Sequence, residues 1–353
     1  MAVFRLAVIP GDGVGPEIAE ACQPVIEAAG AADSLDLQTS VLDWGGERYL
    51  RTGAVMPDHA SEQLRSFDGV LFGAVGRPDV PDHELVWGLI IRLRQELALS
   101  VNLRPARSFP GVRTPLGGRP EIDLLVVREN TEGEYAGAGG VGHRGTPEEV
   151  AVEVALHSRR AIRDAAQYAF SAARRRRGRV TLVTKSNAMR FGYVLWDRVF
   201  EEVAAEHPDV TAERTLVDAM AARMVQRPQE LDVLLCSNLF GDILSDLSAA
   251  LVGGLGLAPS ANIRPDQGLG IFEPVHGSAP DIAGQGVANP CGYLLSAAML
   301  FEHNRLEVAA GALRSAIASA LTEPANHTPD LGGSASTAEL AQAVGQRLFE
   351  VRP

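Results

Sequence analysis

Lysine is almost missing from this chain of 353 residues. Of its 32 Lys and Arg residues, Lys185 alone is Lys and the rest are Arg. Codon bias accounts for the lysines that are gone but not for the one that stays. A lysine amine can give up its proton near neutral pH, whereas a guanidinium cannot, so Lys185 is the first candidate for chemistry. Cysteine is also scarce: Cys22, Cys236 and Cys291 are odd in number, far apart and without a CxxC pair. That excludes a disulfide framework or a zinc ribbon and fits a reducing cytoplasm. No stretch approaches 18 uninterrupted apolar residues, so no membrane span is expected. The N-terminal apolar run reaches a Gly-rich loop by Gly11, too soon for a secretory signal peptide. Positive charge is in deficit as well. A net charge of −12 argues against nucleic acid as a partner. The one basic run, Arg174–Arg177 with Arg179, lacks interleaved aromatics and reads as a helix C-terminus closed by Gly178.

What is present is ordinary globular composition, 46% hydrophobic and 22% charged. At roughly 100–200 residues per domain, the length suggests two domains or one large α/β unit. Short apolar runs read as strands at 5–10, 68–72, 101–107, 122–128, 180–184 and 233–236. Helical spacing covers 16–29, 85–97, 156–174, 192–206, 240–251, 292–301 and 306–321. This alternation predicts an α/β architecture rich in parallel sheet. The segment 136–146 holds five glycines and reads as a mobile loop or an extended arm. No Ser/Gly/Pro-rich linker divides the chain.

Three groups of residues carry possible chemistry. Gly11-x-Gly13-x-Gly15 follows a strand and opens a helix, but Pro16 stands where a dinucleotide fingerprint needs its third Gly. A tight strand-to-helix turn explains it as well. Asp242 and Asp246 lie at i, i+4, on one face of a helix, and Asp218 ends an earlier apolar run. Such carboxylates suit Mg²⁺ or Mn²⁺; a helix cap and an exposed charge fit the spacing equally. Arg94, Arg104 and Arg128 offer the two-toothed geometry that grips carboxylates, although most arginines are surface charges.

With these motifs in order, the chain resembles the metal-dependent β-decarboxylating dehydrogenases, the family of isocitrate, isopropylmalate, homoisocitrate, tartrate and D-malate dehydrogenases. The resemblance runs through Gly11-Asp-Gly-Val-Gly-Pro-Glu17, Asn102-Leu-Arg-Pro105, Arg128-Glu-Asn-Thr-Glu-Gly-Glu-Tyr135 and Thr184-Lys-Ser-Asn187. It continues through Ser237-Asn-Leu-Phe-Gly-Asp242, Glu273-Pro-Val-His-Gly-Ser-Ala-Pro-Asp281, Ala288-Asn-Pro290 and Thr328-Pro-Asp-Leu-Gly-Gly333. It implies an isopropylmalate-dehydrogenase-like two-domain α/β fold with a large mixed parallel/antiparallel sheet, not a standard Rossmann fold. The implied cofactor domain is discontinuous, 1–101 with 254–353. The implied dimerisation, substrate and metal domain is 102–253, with an arm near 136–150.

The resemblance also implies roles. Lys185 is the general base, Tyr135 the acid that protonates C3, and Asp218, Asp242 and Asp246 the ligands of Mg²⁺ or Mn²⁺. Asp218 is also counted with the catalytic set. Arg94, Arg104 and Arg128 bind the two carboxylates of a malate unit, with Trp87 and Ile90 beside its C3 substituent. NAD lies against Gly73, Ala74, Val75, Asn187, Glu273, His276, Gly277, Ser278, Ala279, Asp281, Ile282 and Asn289. Asp281-Ile282 stands where family members that use NADP tend to carry Lys-Tyr, so NAD is favoured. Lys185 and Asp218 are implied to reach the site from a second copy, which makes the expected assembly a homodimer. A K⁺ requirement is left open.

For the substrate, Val86-Trp-Gly-Leu-Ile-Ile-Arg-Leu-Arg94 departs from the isocitrate and isopropylmalate patterns and is most similar to that of tartrate and D-malate dehydrogenases. Trp87 favours a small C3 substituent. The apolar Leu89, Ile90 and Ile91 disfavour a buried extra hydroxyl. D-malate or a small alkylmalate is the expected substrate. Arg92 leaves room for an added anionic group. Two alternatives stand beside this reading: a 3-isopropylmalate or other 3-substituted malate dehydrogenase, including one for a specialised biosynthetic substrate, and a non-catalytic subunit of a heteromeric dehydrogenase.

Overall fold

The computed structural model describes residues 2–116, 121–265 and 268–350. Its strands are β1 (Ala2–Gly11), β2 (Leu35–Val41), β3 (Gly69–Ala74), β4 (Val101–Arg107), β5 (Asp123–Glu129), β6 (Gly133–Gly142), β7 (Val150–Leu156), β8 (Arg179–Thr184), β9 (Thr211–Leu216), β10 (Val233–Cys236), β11 (Pro259–Ile263) and β12 (Ile271–Pro274). Ten of them form one sheet in the order β2-β1-β3-β12-β11-β4-β5-β10-β8-β9, and β6 pairs with β7 in a separate ribbon. The two wings of the sheet are parallel, whereas the central pairs β12–β11, β11–β4 and β4–β5 are antiparallel. The mixed sheet and the non-Rossmann order agree with the expected α/β fold. All strands on the β2 side of the β11–β4 pairing come from the chain's two ends, and those on the other side come from its middle.

Side-chain alternation along the strands sorts the core. Leu6 and Val8 of β1, with Leu125 and Val127 of β5, face one continuous core. The helices Gly15–Gly30, Arg159–Arg174, Gly192–Glu206, Cys291–His303 and Glu307–Ala320 pack there. On the other face the apolar packing is split. Ala7, Ile9, Val70 and Phe72 join Leu85, Leu89, Leu93 and Leu97 in one cluster. Leu124, Val126 and Leu234 join Met220, Met224 and Leu244 in another. The gap between these two clusters is where the polar side chains of the central strands point.

The segment expected as a loop or arm is the β6–β7 ribbon. Its glycines did not abolish pairing, because Val150, Val152 and Val154 supply the partner strand. The helix expected from residue 156 begins at Arg159, because Leu156 closes β7 and Ser158 caps the helix through a hydrogen bond from Ala161 N. The basic run is absorbed by acids: Arg174 pairs with Asp209, and Arg176 with Asp123 and Asp232. Among the described residues no helix is long and apolar enough to cross a membrane.

Candidate active site

Even-numbered residues of β4 and β5 face the split side of the sheet, which puts Asn102, Arg104 and Arg128 in the gap. Arg128 is 2% exposed. Its Nε and Nη2 donate to Asn238 Oδ1 at 2.9 and 2.6 Å, and its Nη1 pairs with Asp242. Arg104 donates to Asn102 Oδ1, Ser245 Oγ and Asp246 Oδ1 at 2.8, 2.9 and 3.2 Å. Arg94, on the short helix Arg92–Glu96, donates through Nη2 to Glu273 at 2.9 Å. Asp242 and Asp246 lie one turn apart on the helix Asn238–Val252, which follows β10. Asp242 therefore is not a helix cap; it sits a turn inside, facing the arginines. Tyr135 of β6 donates its hydroxyl to Asp242 Oδ2 at 3.2 Å, and Arg128 lies over its ring at 5.6 Å.

Charge is dense here and its effects oppose one another. Burial, then the neighbouring Arg104 cation, drives the Arg128 guanidinium down, against the pull of Asp242. Burial alone would raise the Asp242 carboxyl, but Arg128 and Arg104 outweigh it and hold it below the usual carboxylate range. Asp246 moves the other way: burial, with help from the Asp242 charge, exceeds the pull of Arg104. Burial and the same Asp242 charge push the Tyr135 phenol up. Three guanidinium groups thus face Glu273, Asp242 and Asp246. A divalent cation and a dianionic ligand would enter together without adding net charge.

Among the described residues, the buried side-chain atoms without partners include Arg94 Nε and His276 Nε2, and each of these two fits an absent group. Arg94 Nε has no acceptor although the residue is only 8% exposed. Leaving such a donor unpaired is costly, and a ligand carboxylate would satisfy it. His276 Nδ1 must donate to the Gly277 carbonyl at 2.9 Å, and burial lowers the ring's basicity. Its Nε2 is then a buried acceptor without a donor, suited to an amino group such as a nucleobase carries.

Lys185 and Asp218 lie elsewhere on the chain. Lys185 follows β8 and donates to Asp218 Oδ1 at 2.7 Å; Asp218 opens the helix Val217–Gln226 after β9 and is exposed. With strands spaced by about 4.8 Å, β8 lies roughly 10 Å from β5. Among the described residues no three His, Cys, Asp or Glu side chains of one chain converge as a metal centre. Asp218 does not join Asp242 and Asp246 within one copy.

The remaining expected site residues fall in three places. Gly73 and Ala74 end β3 and Val75 follows it, and Glu273 to Ala279 leave β12 beside them. Ala279 is held at φ +40°, a strained left-handed conformation of the kind that gathers at functional loops. Asp281 and Asn187 are exposed, Ile282 is half-buried, and Asn289 is buried with its amide donating to Asp330 at 3.0 Å. Trp87 opens a π-helical turn, Trp87–Ile91, inside the segment expected as a plain helix. A π-turn in a helix often marks a functional position. Its ring lies against Gly137 of β6, where an added Cβ would sit 2.9 Å from Cη2. Ile90, by contrast, is buried in the core beneath this turn. Arg92 is committed to Glu96 Oε1 at 2.6 Å and to the Asp58 carbonyl.

Sequence reasoning missed a buried polar chain joining these parts. Asn262 of β11 accepts from Asn102 and Asn130 and donates to Glu273, so Arg104, Asn102, Asn262, Glu273 and Arg94 form one hydrogen-bonded line. Glu273, expected to meet the cofactor, accepts from Arg94 and Asn262 through its Oε1.

The family model for isocitrate/isopropylmalate dehydrogenase matches residues 5–344. The chain belongs to the isocitrate/isopropylmalate dehydrogenase family. It is therefore an oxidoreductase of the decarboxylating dehydrogenase type. It is 46% identical to a probable tartrate dehydrogenase/decarboxylase of Agrobacterium vitis, over 98% of this chain and 97% of that one. It is also 46% identical to a 3-isopropylmalate dehydrogenase of Thermobifida fusca, over 98% of each. The crystal structure of isocitrate dehydrogenase from Methylococcus capsulatus superposes with a TM-score of 0.88 at 37% identity, covering 98% of this chain and 99% of that one. Relatives of this family with different substrates are thus equally similar, and overall identity does not select among them.

Proposed function

We propose that this family member oxidises and decarboxylates a malate-type 2-hydroxy diacid, D-malate or a small relative, with NAD and a divalent metal ion. The observation that carries this reading is the buried trio Arg94, Arg104 and Arg128 around Asp242, with Arg94 Nε unsatisfied and aimed at no protein acceptor. Asp242 and Asp246, joined by Asp218 of a second copy, would hold Mg²⁺ or Mn²⁺, which polarises the C2 oxygen. The segments 73–75 and 273–289 would hold NAD, which would supply the acceptor for the C2 hydride.

The chain's own residues do the rest. The three arginines fix the two carboxylates and so orient the C2–H bond. Lys185 of the second copy takes the C2 hydroxyl proton. The bond from C3 to its carboxylate then breaks, CO₂ leaves, and its electron pair passes to C3. Tyr135 delivers a proton there. Its phenol is held up by burial and by Asp242, which keeps it protonated. Trp87, lying against Gly137 two residues beyond Tyr135, bounds the space for a C3 substituent and supports a small one.

We further propose that the chain's two ends, 1–101 and 254–353, form the cofactor domain and 102–253 the substrate domain, meeting at the β11–β4 pairing. The homodimer would be built through the β6–β7 ribbon, where Val141, Val150, Val152 and Val154 are exposed, and around the exposed Phe191 and Ile243. Exposed apolar side chains of this kind are what a partner copy would cover.

The test is a substrate panel with NAD or NADP and Mn²⁺: D-malate, tartrate, 3-isopropylmalate and isocitrate. NADH formation fastest with D-malate is expected. Much faster turnover of isocitrate contradicts the reading, and 3-isopropylmalate as the best substrate selects the alternative.

A further inference from the structure

The Gly11–Glu17 loop fails as a phosphate-binding fingerprint, and the structure shows what it does instead. Its backbone donors turn inward. Asp12 N–H donates to Ala74 O and Val14 N–H to Ser278 O, both at 2.8 Å. Gly11 and Gly13, at φ +71° and +60°, permit this approach: a Cβ would lie 1.8 Å from Ala74 O and 1.9 Å from Ser278 O. The Asp12 side chain is 4% exposed and accepts the Gly46 N–H at 2.9 and 3.0 Å and the Gly76 N–H at 3.1 Å. Five residues on, Glu17 Oε2 accepts the Gly284 N–H at 2.9 Å and the Gly286 N–H at 3.4 Å. One loop thus grips the segments 73–76, 278 and 284–286, which come from distant parts of the chain.

We propose that the Gly11–Glu17 loop is a clamp that holds the two dinucleotide-facing segments in register, with Asp12 and Glu17 as its positioning residues rather than ligands. The proposal rests on the reading of 73–75 and 273–289 as the NAD site. Asp12 suits the task because an ionised carboxylate is acceptor-only, with lone pairs enough for several N–H groups. An amide at this position would turn a donor toward backbone donors. The clamp predicts that damage to Asp12 or Glu17 loosens the dinucleotide without disturbing the arginine trio.

The experiment titrates NADH fluorescence against wild type, Asp12→Asn and Glu17→Ala, and measures the KM for D-malate at saturating NAD. NADH affinity is expected to fall about tenfold in Asp12→Asn, the loss of one or two charge-assisted hydrogen bonds. It should fall less in Glu17→Ala, while the KM for D-malate stays where it is in both. Unchanged NADH affinity in the variants overturns the clamp. A wild type that binds no NADH overturns the reading of the site, and the clamp with it. If Asp12→Asn shows no cooperative melting, Glu17→Ala decides: Glu17 is half-buried in the first turn of the helix Gly15–Gly30, and equal NADH affinity there overturns the proposal.

Discussion

Arg128 shows how much one side chain is asked to do. Its guanidinium satisfies Asn238 with two nitrogens and Asp242 with a third, all inside the protein. A lysine keeps the charge but cannot make this fork. Arg128→Lys is therefore expected to lose about 3 kcal/mol of substrate-dependent stabilisation, a drop on the order of 100-fold in kcat/KM for D-malate. The NADH affinity should be unaffected. A variant that retains wild-type kcat/KM would show that Arg128 only braces Asn238. At this scale the sequence was informative where composition was odd. The lone lysine and the Asp242/Asp246 spacing pointed to residues that the structure sets in charged clusters. Asn262, Asn102 and Asn130 gave no such signal. Asparagine is poor in strands and common in turns, so nothing in their spacing announced a buried network. The Glu273 carboxylate, read as cofactor-facing, is engaged by that network, because only the fold brings β12 beside the Arg94 helix.

Between residues and the fold, the helical segment from Asp82 to Glu96 carries the specificity argument. Its apolar spacing made the helix legible. Its π-turn was not, since a one-residue widening leaves the apolar pattern nearly intact. That turn carries Trp87 against Gly137 while Ile90 goes into the core. Trp87→Ala is expected to open this wall. The ratio of kcat/KM for 3-isopropylmalate to that for D-malate should rise at least about tenfold, the scale of one methylene in an apolar pocket. A ratio that stays or falls would remove Trp87 from substrate choice. Elements rich in small or polar residues escaped sequence reading altogether. β11, Pro-Ser-Ala-Asn-Ile, and the glycine-rich β6 lack the alternation that marks a strand, and their pairing comes from neighbours far away in sequence. The strand pattern alone did not show the sheet's antiparallel centre, which the family resemblance implied, although the parallel wings were plain.

For the whole molecule, the geometry of one copy is incomplete in a specific way. Lys185 and Asp218 pair with each other, while Asp242, Asp246, Tyr135 and the arginines gather across the sheet. On the proposed roles, a chain whose base and acid are apart needs a second copy to bring them together, and two-fold symmetry would then give two identical composite sites. We therefore propose a shared site for NAD-dependent oxidation. Its most direct test co-expresses Lys185→Ala and Asp242→Asn chains under two different tags and purifies the mixed dimer through both. Each parent variant alone is expected to be inactive on D-malate with NAD and Mn²⁺. The mixed dimer joins one intact Asp242 to the intact Lys185 of the other chain, leaving one of two sites whole, and should recover about half of wild-type NADH formation. A mixed dimer as inactive as its parents, or a Lys185→Ala parent as active as wild type, would contradict a shared site.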